Sequence, residues 1–212
     1  MTVFWVLIVA TVAVAILDWW AVANDRRQAE LVFKPLTMIV LISAALALTE
    51  PASDRSRLFL VLGLVCSLAG DVFLMFEERF FVAGLASFLV GHLMYVVALS
   101  SLDDLSVPLL VVGVAGVLVA AGFVGSRIVR GAREQDGRLT VPVAAYIAVI
   151  STMVAVAAGT AVPAAIVGAL LFYVSDAVLG WNRFVQPVPN GRVIVHCTYH
   201  LGQIGLVLAL VS

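Results

Sequence analysis

The sequence predicts an all-α, polytopic integral membrane protein with eight transmembrane helices. Three observations carry that expectation. First, 63% of the 212 residues are hydrophobic and only 12% are charged, with a mean hydropathy of +1.15. Soluble domains carry about 25% charged residues, so this chain lacks the polar surface to coat a water-soluble globule. Second, its apolar residues come in runs near the roughly 20 residues that cross a bilayer as a helix. Third, those runs are apolar all round, without the alternation a transmembrane barrel needs.

The spans read, in order, as 2–22, 33–49, 57–76, 81–100, 106–126, 139–158, 162–180 and 193–211. The first contains Ala21-Val22-Ala23, a small-x-small triplet of the kind signal peptidases cut. No Lys or Arg precedes the run, so it is read as a membrane helix. Lys34 and Pro35 open the second. The connections are short, and the longest polar piece is Ser126–Arg138. Residues 1–212 therefore form one transmembrane domain.

The basic residues give an orientation. Arg26, Arg27, Lys34, Arg79, Arg127, Arg130, Arg133, Arg138, Arg183 and Arg192 fall in or beside the odd-numbered connections, ten of the twelve Lys and Arg. Arg55 and Arg57 fall on the other side. The positive-inside rule makes the basic side cytoplasmic and leaves both termini outside. Trp5, Trp19, Trp20 and Trp181 lie near span ends, as interfacial anchors do. The net charge of −1 suggests no nucleic-acid partner. Cys66 and Cys197 stand alone in apolar stretches, without a CxxC pair.

The spans carry polar residues that lipid would penalise. Asp71 lies in Ser67-Leu68-Ala69-Gly70-Asp71-Val72-Phe73-Leu74-Met75, and Asp176 in Tyr173-Val174-Ser175-Asp176-Ala177-Val178-Leu179-Gly180. A carboxylate inside the membrane costs about 2.5–3.5 kcal/mol on insertion scales, so such residues mark function by default. The plainer reading is a helix cap or a local ion pair. His92, Tyr146, His196, Tyr199, His200 and Gln203 join them at similar depth, in the half nearer the basic side. That shared depth favours one polar cavity open to the cytoplasmic leaflet. His196, Tyr199, His200 and Gln203 form a stripe at i, i+3, i+4, i+7 that faces protein or water. Interhelical hydrogen bonding would also explain it.

A short internal similarity suggests two four-helix halves. Asp71 and Asp176 each end an inward span, and each is followed by a span carrying His-Leu, 21 and 24 residues on, at His92 and His200. Repeat interfaces hold the sites of many transporters.

Two aspartates in one apolar cavity suit acid/base work: one carboxyl gives a proton while the other, ionised, orients or deprotonates water. That division serves reactions passing through an oxocarbenium ion. Two other readings compete. His196 and His200 have the i, i+4 spacing of two zinc ligands, with His92 and an aspartate to complete a shell, though the stronger HExxH form is absent. Proton-coupled transport of a small amphiphile also uses intramembrane Asp, His and Lys. Against transport, the polar groups gather toward one side, and no half is broken mid-membrane by paired Gly or Pro.

Several blocks, in order, resemble the YhhN family. They are Lys34-Pro35-Leu36-Thr37, the Ser67–Met75 block, Phe88-Leu89-Val90-Gly91-His92-Leu93-Met94-Tyr95 and Gly168-Ala169-Leu170-Leu171-Phe172-Tyr173-Val174-Ser175-Asp176-Ala177-Val178-Leu179, with Tyr199 and Gln203 on the last span. The resemblance covers nearly the whole chain. It implies an eight-helix membrane protein that hydrolyses the vinyl-ether bond of lysoplasmalogen to a fatty aldehyde and a glycerophospho-ethanolamine or -choline. It further implies Asp71 and Asp176 as the catalytic pair, with Lys34, His92, Tyr146, Tyr199, Gln203 and Ser175 as substrate-binding residues. His196 and His200 fall outside the family pattern and take no family role. Lys34 is expected either to hold the lipid phosphate or to snorkel at the interface. The expected partners are a lysolipid and the bilayer, with no cofactor and no resident metal. The expected location is a bacterial inner (plasma) membrane.

Overall fold

The computed structural model describes residues 1–76, 78–102 and 104–211, with only the backbone at Glu78. Among these residues there are eight helical segments long and apolar enough to cross a membrane. The protein is a polytopic all-α integral membrane protein. Helices α1 (Thr2–Ala23), α2 (Arg27–Ala47), α3 (Asp54–Met75) and α4 (Phe81–Leu99) make the first four spans. The fifth joins α5 (Val107–Ala120) to α6 (Ser126–Gln135) through a π-helical turn at Ala121–Gly125. Helices α7 (Thr140–Gly159), α8 (Pro163–Phe184) and α9 (Gly191–Leu208) complete the bundle.

Two boundaries differ from the sequence expectation, each for a packing reason. The second helix starts at Arg27, well before position 33, and keeps Pro35 inside it. Residues 27–32 look like a polar connection, but Glu30 in the first turn suits the positive end of the helix. Arg27 at 3.0 Å and Arg192 at 2.6 Å then clamp that carboxylate. The second difference is Ser126–Arg138, expected as a polar connection and observed as mostly helix. Ile128 and Ala132 of α6 are buried with Val143 in a small satellite core, against Trp181 and Phe184. Gly131 makes this approach possible, because a Cβ there would lie 1.9 Å from the Phe184 carbonyl oxygen. The π turn disturbs the regular backbone ladder. Ser126 Oγ donates to the Gly122 carbonyl and Arg127 to that of Phe123, both at 2.5 Å.

The main core lies between α1, α2, α3, α4, α7, α8 and α9, with Leu41, Leu64, Tyr95, Met153, Phe172 and Leu206 fully buried. Helices α3 and α4 pack as one hairpin, and α8 and α9 as another. In the second, Gly168 and Gly202 bring the backbones together: a Cβ on Gly168 would sit 2.7 Å from Leu206 N. Small residues at such crossings are the usual membrane device for close packing. Helix α5 stands at the edge; of its residues only Val117 is buried, while Val111, Val112 and Leu118 are exposed. In a bilayer that apolar face meets lipid.

The start of α2, the ends of α3 and α8 and the start of α9 share one end of the bundle. There Arg192 bonds Asp25 and Glu30, and Arg27 reaches the Met75 carbonyl at 2.7 Å. Trp5 and Trp20 are exposed, as anchors are. Trp19 and Trp181 turn into protein: Trp19 Nε1 donates to His200 Nδ1 at 3.1 Å, and Trp181 packs on the satellite core.

Candidate active site

Asp71, on the last turn of α3, is 1% exposed. A buried carboxylate needs a counter-charge and hydrogen bonds. Both arrive from other helices. Lys34 of α2 places Nζ 2.9 Å from Oδ1, and Tyr199 of α9 donates its hydroxyl to Oδ2 at 2.6 Å. The same ammonium lies 5.6 Å from the centre of the Tyr199 ring. The Lys34 side chain is 12% exposed, so it sits inside the cavity wall, committed to Asp71, and is not snorkelling.

Asp176, on α8, has a different environment. The Tyr146 hydroxyl of α7 donates to its Oδ2 in a short hydrogen bond. His92 of α4 places Nε2 3.7 Å from the same oxygen. Its Nδ1–H is given to the Phe88 carbonyl at 2.7 Å, so a neutral ring turns a lone pair toward Asp176. The internal similarity pairs each aspartate with the histidine that follows it. In space His92 crosses to Asp176, and His200 meets Trp19.

Both aspartates line one cavity of about 540 Å³, together with Lys34, Ser175, His196 and Tyr199. Its rim carries Arg27, Arg192 and Asn182. An apolar pocket of about 70 Å³ adjoins it, walled by Leu85, Phe88, Ile147 and Tyr173. Asp176, Leu74, Phe81 and Phe88 belong to both walls. A polar chamber thus meets an apolar one at a carboxyl group, which is a shape for an amphiphile.

The remaining expected residues divide. Tyr146 faces the apolar pocket and Tyr199 the polar one. Ser175 lines the cavity while its Oγ donates to the Val195 carbonyl at 3.1 Å. Gln203 lies deeper, accepting from the Tyr95 hydroxyl at 2.7 Å, with Ser67 behind that tyrosine at 3.1 Å. His92 and Gln203 are absent from the residues lining either chamber; His92 Nε2 stands 3.7 Å from Asp176, beyond hydrogen-bond range.

Two buried carboxyls escaped the sequence reading. Asp18 of α1 is fully buried and accepts from His196 Nδ1 at 2.6 Å. Glu30 is 5% exposed and lies 3.7 Å from His196 Nε2. Asp18 gave the same sign as Asp71, a carboxyl inside the apolar run Ala15–Trp20. Glu30 stands one turn before Lys34, on its face. His196 and His200 do not converge as ligands; their Nδ1 atoms are engaged by Asp18 and Trp19. Among the described residues no three His, Cys, Asp or Glu side chains gather as a metal-binding group.

The sequence model of the YhhN family matches residues 29–210. The chain is 34% identical over 148 residues to lysoplasmalogenase TMEM86B of Homo sapiens, covering 69% of this chain and 60% of that protein. It is 32% identical over 184 residues to lysoplasmalogenase TMEM86A of Bos taurus, covering 78% and 68%. It is 33% identical over 153 residues to the lysoplasmalogenase of Mycobacterium bovis, covering 70% and 58%. The match thus spans about 60% of the length of the human relative. No solved structure matches the chain.

Proposed function

The chain belongs to the YhhN family, and from that premise we propose that it hydrolyses the vinyl-ether bond of a lysoplasmalogen. The observation that carries the proposal is the meeting of two carboxyls in one cavity, polar on one side and apolar on the other. The headgroup and glycerol suit the polar chamber and the first carbons of the alkenyl chain the apolar one, which puts the vinyl ether beside Asp176.

The environments divide the labour. Asp71, against an ammonium, is the ionised member. Asp176, with a phenol and an imidazole for neighbours where Asp71 has an ammonium, carries the proton. Asp176 gives that proton to the vinyl carbon distal to oxygen, and the adjacent carbon becomes an oxocarbenium. The Asp71 carboxylate stabilises the cation and takes a proton from water as the water oxygen adds. The hemiacetal then loses its hydroxyl proton, the glycerol oxygen gains one, and the carbon–oxygen bond breaks. Aldehyde and glycerophospho product leave, and the proton on Asp71 returns to Asp176. Lys34 and Tyr199 hold Asp71 in place, while Tyr146 holds Asp176.

The basic end of the bundle is cytoplasmic on the positive-inside rule, so the cavity opens toward the inner leaflet of a bacterial plasma membrane. The experiment is mass spectrometry of a lysolipid panel incubated with purified protein. A fatty aldehyde with its glycerophospho partner is expected. Fatty acid from acyl lysolipids, or no product from any lipid, would overturn the proposal.

A further inference from the structure

We propose that His196, held by Asp18, reads the free hydroxyl on the middle glycerol carbon and so selects lysolipids over two-chain lipids. This rests on the lysoplasmalogen reading above. Asp18 sits in α1 before the first residue that the family model matches, and the proposed mechanism leaves the pair without a task.

The Asp18 carboxylate lies 2.6 Å from His196 Nδ1. A carboxylate there fixes a proton on Nδ1 and turns Nε2 away from Asp18. His196 is 6% exposed, and its accessible edge lines the cavity that holds Asp71 and Asp176. Glu30 Oε1 lies 3.7 Å from Nε2, beyond hydrogen-bond range. Both Glu30 oxygens are already engaged, Oε1 by Arg27 and Oε2 by Arg192. With a single proton on the ring, at Nδ1, Nε2 is an acceptor open to a donor from the cavity.

The depth is right for that hydroxyl. The Ser175–Val195 hydrogen bond joins the residue before Asp176 to the residue before His196, so the two side chains leave α8 and α9 at one level. One turn further along α9, Tyr199 holds Asp71. In a lysoplasmalogen the middle hydroxyl oxygen is four bonds from the carbon that takes water, or roughly 5 Å of extended chain. An acceptor at that place is satisfied by a hydroxyl. An esterified oxygen has no hydrogen to give, and leaves Nε2 buried without a partner.

The test uses purified full-length protein in detergent and three substrates: lysoplasmalogen, its 2-deoxy analogue and the 2-acyl plasmalogen. Wild type is expected to prefer lysoplasmalogen over the 2-deoxy analogue by about 100-fold in kcat/KM. His196→Asn keeps an amide for Asp18 but withdraws the acceptor. It is expected to lose about 100-fold on lysoplasmalogen and to leave the 2-deoxy rate within about threefold. His196→Gln, whose amide oxygen reaches toward the Nε2 position, is expected to recover part of the loss. Asp18→Asn, at the positioning residue, is expected to show the same selective pattern at about tenfold. Equal losses on both substrates would reduce the pair to a tie between α1 and α9 and overturn the proposal. If no variant folds, equal wild-type rates on the two substrates still overturn it. Wild type that cleaves none of the three lipids refutes the hydrolase reading, a result distinct from lost discrimination.

Discussion

Lys34 and Asp71 form an ion pair of 2.9 Å between α2 and α3, with side chains 12% and 1% exposed. Charges so far from water are stable only as partners. The pair joins two helices, and in the proposed mechanism it keeps Asp71 as the ionised aspartate.

That pairing predicts a charge-swap pattern. Lys34→Met leaves Asp71 buried beside no cation and costs about 3–5 kcal/mol. Adding Asp71→Asn removes the stranded charge and recovers most of that loss, although turnover stays absent. Denaturation in mixed micelles reads the stabilities. Additive losses in the double variant would show that the two groups do not interact.

Tyr146 donates to Asp176 from the wall of the apolar pocket. Tyr146→Phe removes the hydroxyl and keeps the ring. The expected result is a fall in kcat of about 10–100-fold with KM nearly unchanged, because a hydrogen bond to an acid/base group contributes about 1.5–3 kcal/mol. Steady-state kinetics on lysoplasmalogen decide it; a change confined to KM would mean that the tyrosine serves binding alone.

Gly131 lets α6 cross the end of α8, where a Cβ would meet the Phe184 carbonyl oxygen at 1.9 Å. Gly131→Ala must push α6 off α8, at about 1–3 kcal/mol for overpacking. Gly122→Ala, where nothing lies within 4 Å of the added carbon, is expected to be neutral. Thermal melting of the two variants compares them directly. An undisturbed Gly131→Ala would mean that α6 is not held there.

Much of the fold is legible in the sequence because lipid imposes one simple demand. A helix must be apolar for its full crossing, and each span announces itself by length. The polar helical pieces carry no such mark: residues 27–32 and Ser126–Gln135 are held as helix by the Arg192–Glu30 clamp and a glycine crossing, contacts between residues distant in sequence. Asp71 and Asp176 stand out because carboxyls are costly in apolar runs. Asp18 has the same character but sits beside Trp19 and Trp20, residue types that usually mark the interface, where a carboxyl is ordinary. Which residue meets which aspartate is not encoded within any single span. Lys34 reaching Asp71, and His92 crossing to Asp176, follow from how the helices pack.

The most direct measurement is aldehyde release from lysoplasmalogen by the Asp71→Asn and Asp176→Asn variants, each verified as folded in detergent. Loss of acid or base is expected to slow each by about 10²–10⁴-fold. Either variant releasing aldehyde at the wild-type rate would contradict a two-aspartate site.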